Sequence, residues 1–244
     1  MILFLLSSYV ELTLKYEYLA EHGKEEQAWK LLEDNKDIPE ILNKLVDKYL
    51  ELKEHRTAIE LCNYGIKIAK ETGFLGMIMN WEEKLLYINE STNNIEEIRR
   101  ISEKMFFARN YNMQYYKKIK GTFETDEWQH ESERLINRIK GNDQSGRYGA
   151  AFALAEIFVE ENYKERLLKL LQLNSFDIEF IDSFSKYLKS KYPDELISLY
   201  EEGIKKYAEN TGRKIYHEIA KYLKRLQKIN GGEISVQKLL REFR

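Results

Sequence analysis

Residues 49–65 read YLELKEHRTAIELCNYG and carry the clearest signal of the tertiary fold. Tyr49 stands near the end of one predicted helix and is followed by a short polar turn. A second predicted helix then carries Ala58 and Gly65, nine and sixteen positions after the tyrosine. Small residues at such positions allow two helices to approach closely. The stretch therefore predicts a helical hairpin.

The same plan recurs elsewhere in the chain. It is visible in Tyr18-LAEHGKEEQAWKLL, Tyr87-INESTNNIEEIRRIS and Phe158-VEENYKERLLKLL. The spacing of Tyr49, Ala58 and Gly65 is the one that the tetratricopeptide repeat uses for its tyrosine and small residues. A single helix pair cannot bury its apolar stripe, so neighbouring pairs must stack. We predict an all-α, right-handed α-solenoid of TPR-like helical hairpins, about six or seven in number, and no β-sheet.

Proline and glycine residues mark the boundaries of the predicted helices. The only two prolines, Pro39 and Pro193, stand at first helical positions, where no hydrogen bond is lost. The segment 141–146, GNDQSG, has the composition of a flexible turn. We predict an N-terminal helical-repeat half over 1–140 and a C-terminal half over 147–244, continuous with the first through this glycine-containing turn.

Composition restricts the location and the class of site. The single cysteine, Cys62, rules out an internal disulfide and a cysteine-rich zinc site, and it favours a reducing cytoplasm. A formal net charge of −2 makes no general case for binding nucleic acid or a membrane. The apolar segment 1–10 has no positive region before it, and Glu11 follows at once, so a packed first helix is favoured over a signal peptide.

Residues that could carry catalysis are scattered. None of the four histidines has another histidine four positions later, and His130 lies among charges on a predicted helix face. Cys62 sits in an apolar stripe, where packing is favoured over a nucleophilic role. The segment 141–148, GNDQSGRY, lacks the lysine and the hydroxyl residue of a phosphate loop. We predict no catalytic residue, no metal and no cofactor, and hence no enzyme.

An aromatic and basic cluster at 111–120 has two interpretations. Its members are Tyr111, Tyr115, Tyr116, Lys117, Lys118 and Lys120. Aromatic and basic side chains together can stack and neutralise single-stranded nucleic acid. A tyrosine stripe that faces the core, with lysines outside, is the favoured interpretation.

Charge is distributed unevenly along the chain. Residues 1–60 carry a net charge of −5, and residues 201–244 carry +5. The segment 211–232, TGRKIYHEIAKYLKRLQKINGG, is the strongest and most basic predicted helix. Because an α-helix repeats nearly every seven residues, Lys214, Lys221 and Lys228 share one face. The apolar positions on the opposite side, predicted to be buried, are Ile215, Ile219, Leu223 and Leu226.

The start of this helix places two cations against its dipole. Arg213 and Lys214 stand in the first turn, where positive charge is disfavoured. Glu209, a bound anion or an acidic partner could offset that cost. A solvated surface with local ion pairs is favoured over a ligand surface. The candidate partner or anion-binding residues are Arg213, Lys214, Tyr216, Lys221, Lys224 and Lys228.

Several segments together resemble one family. They are Gly212-Arg213-Lys214-x-Tyr216-x-Glu218, Leu223-Lys224, Gly231-Gly232, Tyr192-Pro193-Asp194-Glu195-Leu196, Tyr207-Ala208-Glu209-Asn210, Leu19-Ala20-Glu21-His22-Gly23 through Leu32, Asp37-Ile38-Pro39 and Ala58-Ile59-Glu60-Leu61-Cys62. In collinear order they resemble the C-terminal helical-repeat region of bacterial SWIM zinc-finger proteins. Members of that family carry a CxC…CxH zinc finger, which one cysteine cannot supply. The resemblance therefore implies the helical-repeat region without its finger, and a role in protein interaction.

These observations predict a function of binding. The favoured hypothesis is a cytoplasmic, non-catalytic protein-interaction scaffold of the TPR-like type for an unknown protein or peptide partner. The alternative is an accessory nucleic-acid-binding module that uses the basic C-terminal helices. Neither hypothesis involves a membrane or a metal ion.

Overall fold

Helices joined by short turns make up the described part of the chain. The computed structural model describes residues 2–141, 146–210 and 212–243, and side chains within them except at 2–9 and 146–148. The helices are α1 (Ile2–Glu21), α2 (Glu25–Asp34), α3 (Pro39–Glu51), α4 (His55–Thr72), α5 (Leu75–Ser91), α6 (Ile95–Ala108), α7 (Met113–Lys120), α8 (Thr125–Lys140), α9 (Gly146–Glu160), α10 (Lys164–Leu173), α11 (Ile178–Ser185), α12 (Pro193–Ala208), α13 (Arg213–Leu226) and α14 (Gly232–Glu242). No strand occurs in these ranges, so the predicted all-α fold is confirmed.

Three helices differ in length from their prediction. Apolar spacing in the sequence predicts a first regular helix over 8–21, whereas α1 begins at Ile2 and so includes most of the apolar segment 1–10. The sequence predicts a helix over 176–190, but α11 ends at Ser185, because the chain turns over 186–191. Helix α13 covers only the middle of the predicted 211–232 segment, since Gly212 precedes it at a φ of 128° and residues 227–231 form a turn. Lys228 therefore follows the helix and does not belong to it.

One turn geometry recurs between paired helices. Gly23, Lys53, Asn93, Asn110 and Asn162 all adopt positive φ values, between 51° and 69°. In each case the next residue donates its backbone N–H to the carbonyl five positions earlier, as in Glu54 to Tyr49 at 2.8 Å and Tyr163 to Phe158 at 2.8 Å. A left-handed residue followed by this bond satisfies the last carbonyls of the preceding helix. In two of the four repeats seen in the sequence, the defining aromatic residue, Tyr49 or Phe158, is the acceptor that ends the first helix.

The chain divides into two compact units, residues 1–124 and 125–244. In each unit, helices pack mainly against the helices next to them in sequence. That contact pattern is typical of helical repeats, and a right-handed solenoid stays a prediction. The sequence placed the boundary at 141–146, of which residues 142–145 lie outside the described part. The contacts group α8 with the C-terminal unit.

The first unit is built from the predicted hairpins. Ala58, Cys62 and Gly65 are buried on α4, and Gly65 lies under the ring of Trp81 from α5. Ion pairs join neighbouring helices at the surface. They are Lys84–Asp47, Lys104–Glu82, Lys118–Glu90 and Arg109–Glu83, the last at 2.9 Å. Each of these four cations is therefore neutralised by a carboxylate of another helix.

Aromatic contacts join the helices of the second unit. Phe152 of α9 contacts Phe180 and Phe184 of α11, with ring centroids 4.9 and 5.5 Å apart. Tyr222 of α13 packs edge-on against Tyr207 of α12 at 6.0 Å. Burial raises the pKa of Tyr222 to about 12, so its phenol stays protonated and acts as a packing group. The inner face of α13 is thereby fixed, and its outer face remains in solvent.

Candidate interaction surface on helix α13

Helix α13 separates charge from apolar surface more completely than its neighbours. At about 100° per residue, its five cations fall within an arc of about 120°. They are Arg213, Lys214, Lys221, Lys224 and Arg225, all exposed. The opposite face buries Ile219, Tyr222, Leu223 and Leu226. We call the five cations together with Lys228, exposed in the turn that follows, the α13 cationic surface.

Two residues that the sequence assigned to the buried and exposed faces of α13 do not have the positions expected of them. Ile215, predicted to be buried, is only half-buried, and Tyr222 takes the inner position that the sequence did not assign. Tyr216 is 66% exposed, as a contact residue should be. However, it lies about 60° outside the cationic arc, on the side of Leu223. It borders the α13 cationic surface and is not part of it.

Only part of this surface is neutralised locally. Lys221 pairs with Glu218 at 3.1 Å, and Arg225 pairs with Asp182 of α11. Within the described residues, the other four cations have no ion-pair partner. They are Arg213, Lys214, Lys224 and Lys228. Glu209, predicted to offset the cations of the first turn, instead pairs with Lys206 at 2.7 Å.

A groove at the end of α13 extends the positive surface. It has a volume of about 490 Å³ and is lined by Lys186 and Lys189 after α11 and by Arg225 and Lys228. Asp182 lies at its base, where Tyr200 donates to its Oδ1 at 2.7 Å and Arg225 pairs with it. Arg225 is thus held in place, and the lysines form the rim. The sequence did not single out Lys186 and Lys189, because the interhelical contact that brings them to α13 leaves no local signal.

The alternative sites considered in the sequence do not assemble in the described residues. Tyr111, Tyr115 and Tyr116 are buried, which confirms the core interpretation and leaves no ring there for stacking bases. No group of three or more His, Cys, Asp or Glu side chains in the described part could hold a metal ion. Residues 142–145 of the segment 141–148, which the sequence compared with a phosphate loop, lie outside the described residues, and Gly146 begins α9.

Cys62 is buried in the first unit, as its position in an apolar stripe predicted. Burial raises the pKa of the thiol to about 12, and the nearby Lys84 only partly opposes that effect. The reactive species of a cysteine is the thiolate. A thiol in this environment is almost entirely protonated at neutral pH.

We therefore expect iodoacetamide to leave Cys62 unmodified in the native protein at pH 8. Intact-mass measurement should show a single alkylation only after denaturant is added, which serves as the positive control. Native labelling within about tenfold of the unfolded rate would contradict the assigned burial and pKa.

The membrane-spanning potential of the helices and the similarity of the chain to known proteins both bear on its class. In the described part, no helix combines the length and the apolarity that a bilayer-spanning segment requires. The fold and the surface define the class: an all-α protein with a one-sided cationic helix. The chain was compared with family models, curated proteins and solved structures, and none of them matched. The resemblance to SWIM zinc-finger proteins stays a prediction from the sequence.

Proposed function

We propose that this chain is a non-catalytic interaction protein whose α13 cationic surface binds an acidic segment of a partner protein. The observation that carries the proposal is the set of four unpaired cations on one side of α13 and its following turn. Several cations of the first unit, among them Lys84, Arg109 and Lys118, have a carboxylate on another helix, whereas these four share one side of α13 and its following turn and have no such partner in the described structure. An acidic partner would supply the missing countercharge.

The fixed position of α13 in its unit supports this proposal. The inner face of α13 is buried against α12, and Arg225 is held by Asp182. Cations presented on a fixed helix lose little conformational freedom of the backbone when they bind. The resemblance to the helical region of SWIM zinc-finger proteins is in keeping with such a role.

A protein partner suits the charge balance better than a nucleic acid does. The chain as a whole carries a net charge of −2, and residues 1–60 alone carry −5. A long polyanion is repelled by such a balance, because it interacts with charges well beyond the contact. A short acidic segment interacts mainly with the nearby charges of α13, since exposed charges are screened beyond about 8 Å at physiological salt.

The test is charge reversal on the surface. The triple variant Lys214→Glu, Lys224→Glu and Lys228→Glu should lower the affinity for a fluorescent oligoglutamate peptide by at least about tenfold, because complementary charge becomes repulsive. Fluorescence anisotropy measures the binding. The matched control is Lys30→Glu, Lys70→Glu and Lys169→Glu, which makes the same change at exposed lysines without ion-pair partners in the described structure.

The control variant is expected to bind the peptide as the wild type does. Equal losses in both triple variants would mean that net charge alone governs binding, and the proposal would be wrong. Circular dichroism should show the same helix content and melting temperature for all three proteins, because every substituted side chain is exposed.

The second candidate function is nucleic-acid binding, which the additional lysines of the groove favour. Lys186, Lys189 and Lys228 widen the basic surface beyond one helix. This function predicts tighter binding of a duplex DNA oligonucleotide than of oligoglutamate. It also predicts a steep loss with salt, because the logarithm of the affinity falls by about 0.9 per phosphate contact for each logarithmic unit of salt. Unchanged DNA binding after charge reversal at Lys214, Lys221 and Lys228 would exclude it.

A further inference from the structure

A second concave surface lies in the first unit, where α3, α4 and α5 meet. It holds an apolar pocket of about 210 Å³. Its walls include Leu42, Gly65, Ala69, Phe74, Met77 and Trp81. Trp81 and Leu42 are buried and form the base, whereas Phe74 is 54% exposed at the mouth. A cavity of about 150 Å³ with apolar walls can bind a benzene ring, so this pocket has room for one bulky apolar side chain.

The polar groups at the edge of this pocket are already used. The Tyr64 hydroxyl donates to the Asp37 carboxylate, and the Thr72 hydroxyl donates to the carbonyl of Ile68 at 2.7 Å. Neither Asp37 nor Thr72 therefore needs a hydrogen-bond partner from a ligand. Recognition inside the pocket would depend on apolar contact alone.

A polar groove adjoins the pocket. It has a volume of about 350 Å³ and shares Pro39, Met77 and Trp81 with the apolar pocket. The other lining residues are Glu40, Asn43 and Asn80, which are exposed. In the described structure their side chains have no hydrogen-bond or ion-pair partner. Two amides and one carboxylate are thus available beside an apolar pocket.

We infer that this combined surface, the α3–α5 groove, binds an extended peptide with one bulky apolar side chain next to a basic residue. The apolar side chain fills the pocket over Trp81. Asn43 and Asn80 each offer a donor and an acceptor, which is what the main chain of an extended peptide requires. Glu40, with Asp37 nearby at the rim, favours a positive neighbour of the apolar side chain.

Charge distinguishes this site from the α13 cationic surface. The α3–α5 groove is acidic and partly apolar, whereas α13 is basic, and the two lie in different compact units. The inference does not rest on the proposed function. A ligand for one surface has the wrong charge for the other, so each can fail separately.

The experiment uses a fluorescent peptide, Gly-Ser-Lys-Phe-Lys-Ser-Gly with capped ends, and the full chain. Anisotropy should detect saturable binding. Replacing the phenylalanine of the peptide with alanine should weaken binding by at least about tenfold, because the apolar contact is lost. Replacing its lysines with glutamates should weaken binding severalfold, since they then face Glu40 and Asp37.

Variants of the protein locate the site. Thr72→Phe places a ring in the mouth of the pocket and should abolish binding, whereas Lys70→Phe adds the same ring to an exposed position of α4 outside the pocket and should leave it unchanged. Asn80→Ala should weaken binding severalfold because it removes a hydrogen-bonding group. Its matched control, Asn63→Ala, changes an exposed amide outside the groove.

Three results would overturn the inference. The first is equal binding of the phenylalanine and alanine peptides, or no binding of either. The second is uptake of free phenol without uptake of the peptide, which would assign the pocket to a small molecule. The third is self-association that Thr72→Phe abolishes, measured by sedimentation, which would assign the groove to a second copy of the chain. The α13 triple variant should bind the peptide normally if the two surfaces are independent.

Discussion

Replacement of Gly65 by alanine is expected to lower the free energy of unfolding by about 2 kcal/mol, the usual cost of overpacking a core. A Cβ atom at this position would lie 2.5 Å from Cε2 and 2.7 Å from Nε1 of Trp81. Trp81 is only 3% exposed, so its ring cannot move aside without displacing its neighbours. Close packing of α4 on α5 therefore depends on the absence of a side chain at Gly65.

The control for this substitution is Gly76→Ala on α5. No atom lies within 4 Å of the Cβ position there, and the residue is helical with an ordinary φ. Alanine should stabilise the helix at this position by about 0.5–1 kcal/mol, because it restricts the unfolded chain. Urea unfolding followed by tryptophan fluorescence measures both variants. If Gly65→Ala proved as stable as Gly76→Ala, the contact between Gly65 and Trp81 would be wrong.

Replacement of Gly232 by alanine is expected to disrupt the junction between α13 and α14. The added Cβ atom would lie 2.0 Å from the carbonyl oxygen of Leu226, which is backbone and cannot rotate away. Helix α14 would have to shift, and with it the ion pairs Lys205–Glu242 at 2.8 Å and Lys238–Glu201 at 3.5 Å. We expect a local cost of about 2 kcal/mol.

Hydrogen exchange resolves this effect by residue. Amides of α14 should exchange roughly thirtyfold faster in Gly232→Ala, as a local cost of about 2 kcal/mol implies. Asn230→Ala is the matched control, because Asn230 is exposed in the same turn and makes no hydrogen bond through its side chain in the described structure. Equal protection of α14 in wild type and Gly232→Ala would refute the close approach of Gly232 to Leu226.

Sequence periodicity predicted nearly all of the described helices. Pro39 and Pro193 stand at first helical positions, as predicted. The sequence also predicts that Gly73 ends a helix, and Gly73 is the left-handed C-cap of α4. These signals act within one turn of helix, so they are readable locally. The early end of α11 was missed because residues 186–190 keep a helical composition, while the fold turns them toward α13.

The candidate surface was predicted only in part. Helical spacing placed Lys214 and Lys221 on one face, because both belong to one helix. The same spacing could not show that Arg225 is held by Asp182, that Glu209 pairs with Lys206, or that Lys186 and Lys189 lie at the same groove. The α3–α5 groove was missed altogether, since its walls come from three helices.

Local sequence patterns were enough to predict most helices and the burial of Cys62, Tyr115 and Tyr116. Each of these depends on the apolar pattern of a few neighbouring residues. The packing of helices against one another determines which charges lack a partner in the described structure and where concave surfaces form. Ion pairs and grooves form between helices that are distant in sequence. The spacing of residues within one helix does not show which other helix packs against it.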